Sequence, residues 1–370
     1  MPSIANVRMG QSRRLYVSAT KESTFGTAAA LTHVLDHPSE FGRLEVTTEK
    51  IDNNRYASGA VDFPTAHLPV SYRLTGDLSV WASLESLGIF FAKAMGGDTK
   101  AGAGPYTHTL DMTTLPFFLD GMTIQENCAG VAVDSTYDTI HKGVCVDSVE
   151  LRIGSTGLAM VNVGLLGSGI NADGSTQTES GLTKPSFLIA APKVRIAYDA
   201  ALSEGVSPWD GGHEVSATAG TFPTIDSGAS DLSAYIDSFS LKLSNGGTQA
   251  RSAGSSTTTG IYAGQAFTEN REVMVEFTAH LGTSTANWLR ALVESTAAAQ
   301  REYAFILDIA GGTDGYGAQF VVPLATMDSN PDGGSGTGPQ MYTFRFRGRK
   351  STSWMPLEVY IANADNFDYC

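Results

Sequence analysis

Charge is the first thing this chain is short of. Only 17% of its 370 residues are charged, well under the usual quarter, so Ser, Thr, Asn and Gly must cover much of the surface. Basic residues are scarcer still: 24 Lys and Arg stand against 38 Asp and Glu, a formal net charge of −14. Proteins that grip nucleic acid neutralise phosphates with clustered cations, and this balance excludes that mode of binding. Like charge would instead keep a polyanion from sticking to a wall built of such chains. Cysteine is nearly absent as well. Cys128, Cys145 and Cys370 are odd in number and share no CxxC spacing, so they read as free thiols of a reduced compartment. No segment approaches the ~20 uninterrupted apolar residues of a membrane span. Residues 1–10 lack the apolar core of a signal peptide, so synthesis in a cytoplasm and no membrane association are expected.

The motifs of common chemistries are missing too. There is no phosphate-cradling Gly-x-x-x-x-Gly-Lys-Ser/Thr, no His-Glu-x-x-His and no Gly-x-Ser-x-Gly. Gly167-Ser-Gly169-Ile-Asn-Ala172 matches a loose dinucleotide fingerprint, but residues 173–178 read as loop and not as the required helix, so it reads as a turn. His33 and His37 stand four apart in a segment without helical period, and neither a metal nor a catalytic role follows. Trp81, Trp209, Trp288 and Trp354 are too dispersed for a stacking platform. No enzyme activity, cofactor or metal is expected.

What is present is alternation. Tyr72, Leu74, Leu78 and Val80 fall on one face of a strand, with Arg73, Thr75, Asp77 and Ser79 on the other. Ser83 is a candidate N-cap for a short helix. Leu84, Leu87, Phe91 and Ala94 form its apolar stripe, and Gly96-Gly97 end it. Further strands are expected at 44–51, 116–125, 144–153, 158–165, 192–198, 236–243, 272–281, 303–309, 318–324, 341–347 and 357–361. Residues 1–40 read as an extended arm in which 14–19 can be a strand, 167–185 as a polar linker, and 199–230 as mostly loop.

The second half repeats the plan of the first. A strand (44–51, then 236–243) leads into a long polar loop (52–66, then 245–267), a second strand and a short apolar helix (84–95, then 286–294). A period near 190 residues means two homologous domains, not a solenoid. The expected organisation is mainly β: residues 1–183, with the arm 1–40, and residues 184–370. Each would be a sandwich or barrel with one flanking helix and one long loop. Loops of that length are uncommon unless they do something. Asp52, Asn53, Asn54 and Arg55 in the first, and Asn245, Gly246, Gly247 and Arg251 in the second, are the candidate contact residues.

Taken in order, these segments resemble the tail tube proteins of long-tailed bacteriophages. Lys21-Glu-Ser-Thr-Phe-Gly-Thr-Ala28 is similar to that family's Glu-Ser-Thr-[Tyr/Phe]-Gly-Thr start, and Gly104-Pro-Tyr-Thr-His-Thr-Leu110 to its Pro-Tyr-Thr-His-Thr-Phe block. Residues 236–245 resemble its strand before an Asn-rich turn. Residues 269–277 resemble its Gly-Arg-x-Val-x-Val strand, with Asn270 in place of the glycine. The resemblance implies a major tail tube subunit of the virion, assembling into stacked rings that form the DNA channel. Its implied partners are copies of itself and the tail terminator, tape measure and distal tail proteins, with viral DNA passing unbound. Two domains per chain lead us to expect a trimeric ring, with a hexamer as the alternative. The long loops are expected to join stacked rings. The strands near 144–165 and 318–347, with the two strand–helix units, are expected to line a channel rich in Asp, Glu, Ser and Thr and poor in basic residues. The competing reading is a carbohydrate-binding or adhesin-like two-domain β protein.

Overall fold

The structure is a computed structural model. It describes residues 13–38, 42–52, 67–112, 118–128, 138–174, 177, 179–185, 187–191, 194–199, 230–231, 233, 235–250, 265–280, 302–310, 315–328, 332–333, 341–350 and 355–370. The protein is mainly β. In chain order the first half holds β1 (Arg13–Val17), β2 (His33–Leu35), β3 (Gly42–Asp52), β4 (His67–Trp81), α1 (Leu84–Met95), β5 (Asp98–Ala101), β6 (Tyr106–Asp111), β7 (Met122–Cys128), β8 (Thr139–Gly154) and β9 (Met160–Asp173). The second holds β10 (Val194–Asp199), β11 (Ser230–Asp231), β12 (Ile236–Ser244), β13 (Gly247–Ala250), β14 (Gln265–Thr268), β15 (Glu272–His280), β16 (Glu302–Ala310), β17 (Gly317–Met327), β18 (Asp332–Gly333), β19 (Met341–Gly348) and β20 (Glu358–Asn363). The expected helix over 286–294 and most of the loops over 52–66 and 199–230 lie outside the described residues.

The alternation seen in the sequence is the alternation of burial. Leu74, Leu78 and Val80 of β4 are buried, as are Val273, Val275, Phe277 and Ala279 of β15. α1 starts where expected: the Ser83 hydroxyl accepts from the Ser86 amide and the Ser86 hydroxyl accepts from the Ser83 amide, a reciprocal cap. It ends at Gly96, whose φ of 87° only glycine adopts cheaply. The expected single apolar stripe is corrected, because all twelve helix residues are buried, Glu85 and Lys93 included. α1 is enclosed on every side because the chain's end wraps it. Tyr369 is fully buried against Gly88, where an added Cβ would stand 2.6 Å from the tyrosine hydroxyl.

Four other expectations change. Beyond residue 12 the arm is woven into the sheet: β1 pairs antiparallel with β2 and β7, and Leu15 and Val17 are core residues. The polar run 167–185 is strand as far as Asp173, because β9 continues along β8. Gly167-Ser-Gly169 is therefore ladder and not turn. Further on, Val34 donates to the Thr183 carbonyl at 3.0 Å and Ile189 donates to that of Ala82 at 2.9 Å, stitching residues 183–189 to the first half. The strand expected over 116–125 begins only at Met122, and Phe118 is exposed. The second loop is narrowed by a hairpin, β13 against β14.

Neighbour order repeats along the chain. β1 sits between β2 and β7, which joins β8; likewise β10 sits between β11 and β16, which joins β17. β3 pairs β4, which pairs β9; β12 pairs β15, which pairs β19. The single β9, lying along all of β8, corresponds to β19 and β20 together, which pair with β17 and β18. One apolar core nevertheless spans both halves. Phe91 of α1 meets Phe320 of β17 edge-to-face at 4.8 Å. β20 returns to pair with β6.

Candidate assembly surface

Seven strands and a short eighth form one continuous antiparallel run: β3, β4, β9, β8, β12, β15, β19 and β18. Because strand side chains alternate, registered partners share a face. One face of this run is core. The other carries Arg43 opposite Asp77, Ser79 opposite Asn162, Glu150 opposite Lys242, Arg152 opposite Ser240, and Glu276 opposite Arg345. Ser79 donates to the Asn162 side-chain oxygen at 2.8 Å, and the Thr278 and Thr343 hydroxyls meet at 3.1 Å. Arg345 pairs with Glu276 at 2.6 Å, Arg347 with Glu272 at 2.8 Å and Arg152 with Glu150 at 2.9 Å. The cations on this face are Arg43, Arg73, Arg152, Lys242, Arg345 and Arg347, all exposed. The acids are Glu45, Glu49, Asp77, Glu150, Glu272 and Glu276. The face is close to neutral and rich in hydroxyls, and the acidic excess of the chain lies elsewhere.

The candidate loop residues divide. Asp52 closes β3, paired with His67 of β4; Asn53, Asn54, Arg55 and Arg251 lie outside the described residues. Gly246 is exposed with φ of 55°. Asn245 is fully buried, and its side chain serves the chain's own interior. Its Nδ2 donates to the carbonyls of Ala94 and Val146, each at 3.1 Å, and its Oδ1 accepts from Arg271 Nε at 3.0 Å. Arg271 Nη2 donates to the carbonyls of Ala94 and Met95, both at 3.1 Å. A cation and an amide from the second half thus close the C-terminal end of the first-half helix, where carbonyls lack helical partners. Gly247 donates its amide to Asp147 at 2.5 Å, and Gln249 donates to the Gly167 carbonyl at 2.7 Å. The root of this loop is anchored within the chain.

Two of the blocks that carry the resemblance, 21–28 and 104–110, turn out to be fasteners. Glu22 is buried and accepts from the amides of Gly26 at 2.7 Å and Gly143 at 2.9 Å, and from the Thr123 hydroxyl at 2.9 Å. Burial pushes its carboxyl above the ordinary range, opposed by these donors. His108 Nδ1 lies 3.1 Å from Asp98, and its Nε2 lies 3.0 Å from the Asp365 carbonyl. Asp365 also meets His33 at 3.1 Å and accepts from the Tyr369 hydroxyl at 2.6 Å. Lys93 donates to the Tyr369 carbonyl. Its burial lowers the ammonium pKa. His33 therefore holds the chain end, and His37 binds the backbone carbonyls of Pro38 and Arg13. The sequence reading missed Lys93, Arg271, Asp365 and Tyr369. An ionisable residue inside an apolar helix was the available signal for the first.

Among the described residues no group of His, Cys, Asp and Glu could hold a metal ion, and no helix is long and apolar enough to cross a membrane. The exposed large apolar side chains there are Phe118 and Leu158, which make no aromatic platform. A family model described as phage tail tube protein matches residues 12–348. No curated protein matches the chain.

Proposed function

From the premise that the chain belongs to the phage tail tube proteins, a structural family of the virion tail, we propose that it is a major tail tube subunit. Its rings stack into the channel for genome ejection. The observation that carries this reading is the polar sheet face that crosses both halves, from Arg43 and Asp77 to Glu276 and Arg345, interrupted beside Thr75, where Cys145 and Leu166 are buried with Leu119 and Ala266. In the ring we assign that face to the channel. An acid-dominated, base-poor lining is replaced by a near-neutral one: Arg345, Arg347 and Arg152 are held by Glu276, Glu272 and Glu150, so they offer DNA no free stripe of cations. Hydroxyls and paired charges let a polyanion slide without base-specific contact.

The repeated neighbour order supports two homologous domains per chain, and so three chains in a ring of six domains. The segments 53–66 and 251–264 reach the next ring, with Asp52 and Gly246 at their roots. The tail terminator, tape measure and distal tail proteins are the partners at the tube's ends, and no enzymatic role is assigned. Purified protein is expected to form hollow tubes visible in negative stain, with three chains per ring in the reconstruction. Six chains per ring would overturn the trimer, and protein that stays monomeric at high concentration would overturn the tube. Deleting residues 53–62 should leave rings that do not stack; normal tubes from that variant would refute the loop assignment.

A further inference from the structure

Residues 364–370 leave the sheet after β20 and run back over α1. Asp365 and Tyr369 are buried and Phe367 is half-buried, while Ala364, Asn366 and Asp368 between them are exposed. Among the described residues no strand lies beside this segment. Side chains hold it instead. From the first half, His33 meets the Asp365 carboxylate, His108 the Asp365 carbonyl and Lys93 the Tyr369 carbonyl. Asp98 accepts from the Tyr369 amide at 2.8 Å, and the Cys370 thiol donates to the Ala92 carbonyl at 3.2 Å. The Phe367 ring stands edge-on to His33 with centroids 5.8 Å apart, and the Tyr369 ring fills the slot that Gly88 leaves in α1.

Lifting this segment away breaks no rung of a strand ladder. It also uncovers charge more than hydrocarbon. Lys93, His33, His108 and the Asp98 carboxylate are buried beneath it, and water would solvate all four on opening. A region held in this way opens at a lower free energy than a paired sheet. The segment also keeps its own shape through a closed circuit of bonds. Asn363 donates to the Tyr369 hydroxyl at 2.7 Å, that hydroxyl donates to Asp365 at 2.6 Å, and the Asp365 amide donates to the Asn363 side-chain oxygen at 3.0 Å.

We propose that residues 364–370 are a strap that opens as a unit while the sheet stays paired, and that the strap is the tethered ligand of a peptide-binding site on the first half. The site takes a peptide with a carboxylate and, four residues later, a tyrosine. His33 reads the carboxylate and the Gly88 slot takes the ring. Lys93 and His108 donate to carbonyls of the peptide, and Asp98 accepts the amide of its tyrosine.

Opening is read on unassembled wild-type protein. Burial pushes the Cys370 thiol up to about 12, so at neutral pH iodoacetamide reports the opened strap. Cys370 should be modified to completion while the amides of β8 and β9 keep their protection from hydrogen exchange, and the amides of Asp365 and Tyr369 should exchange at least tenfold faster than those of β8 and β9. A thiol that reacts only under conditions that also release β8 and β9 would overturn the strap. Binding is read with a chain ending at Asn363 and a fluorescent synthetic peptide of residues 364–370. Saturable binding is expected, weakened at least tenfold when the peptide carries Tyr369→Ala. A folded shortened chain that ignores the peptide overturns the site. A shortened chain that does not fold overturns the proposal too, because residues 364–370 are then core and not a strap.

Discussion

β12 and β3 hold the same place in two halves of one chain, and the chain treats them differently. β12 is interior, sealed by β8 on its outer side, whereas among the described residues β3 has a strand on one side only. The surroundings differ in kind as well. Just past the sealed strand, Asn245 and Arg271 reach the helix end and lock the seam. The register-equivalent positions beside β3 hold Thr48 and Tyr72. Threonine lacks the amide and tyrosine the forked cation that this lock uses. A seam that forms once, during folding, is fastened by buried polar groups.

That contrast can be broken most severely at the lock. Arg271→Ala leaves the Ala94 and Met95 carbonyls and the Asn245 oxygen short of donors, and should cost about 3 kcal/mol of chain stability. Denaturant unfolding measures this, and a loss under ~1 kcal/mol would mean that these bonds do not fasten the seam.

Next is the first half's own frame, which should be independent of the seam. Glu22→Ala strips the amides of Gly26 and Gly143 of their acceptor and should cost about 2 kcal/mol. The pH dependence follows from the sign of its shift. The folded-state pKa lies above the unfolded value, so the folded chain binds the extra proton between the two. Stability from this group is therefore full below the unfolded pKa and declines as pH rises to the folded one. Glu22→Gln should remove that decline. Melting temperature against pH from 4 upward reads it, and an identical slope in the variant would reject the assignment.

Gly88→Ala tests the enclosure of α1 by the chain end. The new methyl group meets the Tyr369 ring and should cost about 1 to 2 kcal/mol, since better helix propensity offsets part of the overpacking. Stability equal to wild type would show that Tyr369 can move aside. The smallest effect belongs to the polar face: Glu276→Ala breaks a half-exposed pair with Arg345 and should change stability by under ~1 kcal/mol. It should nonetheless raise DNA retention by tubes at low salt, seen in co-sedimentation. Unchanged retention would argue against this face as the channel lining.

Much of this was legible in the residues. Strict alternation in β4 and β15 gave their buried faces, and Ser83 with Gly96 gave the limits of α1, because local periodicity and capping chemistry need only nearby sequence. The Glu-Ser-Thr-Phe-Gly and Pro-Tyr-Thr-His-Thr blocks could be matched to a family, though nothing local said that Glu22 and His108 are fasteners. The linker was misjudged for one reason. A polar stretch such as 167–173 looks like loop until a partner strand is placed beside it, and β8 supplies that partner from some thirty residues away.

By itself, then, the sequence determined a mainly β chain, short of charge, with a capped helix after β4. These depend on composition and short-range order. Only the tertiary structure decided that Asn245 turns inward, that Lys93 is buried against Tyr369, that Arg152, Arg345 and Arg347 of the polar face are paired with acids, and that β12 lies between β8 and β15. Each of those depends on which distant strand lies alongside, a matter of long-range pairing and burial that no local pattern encodes.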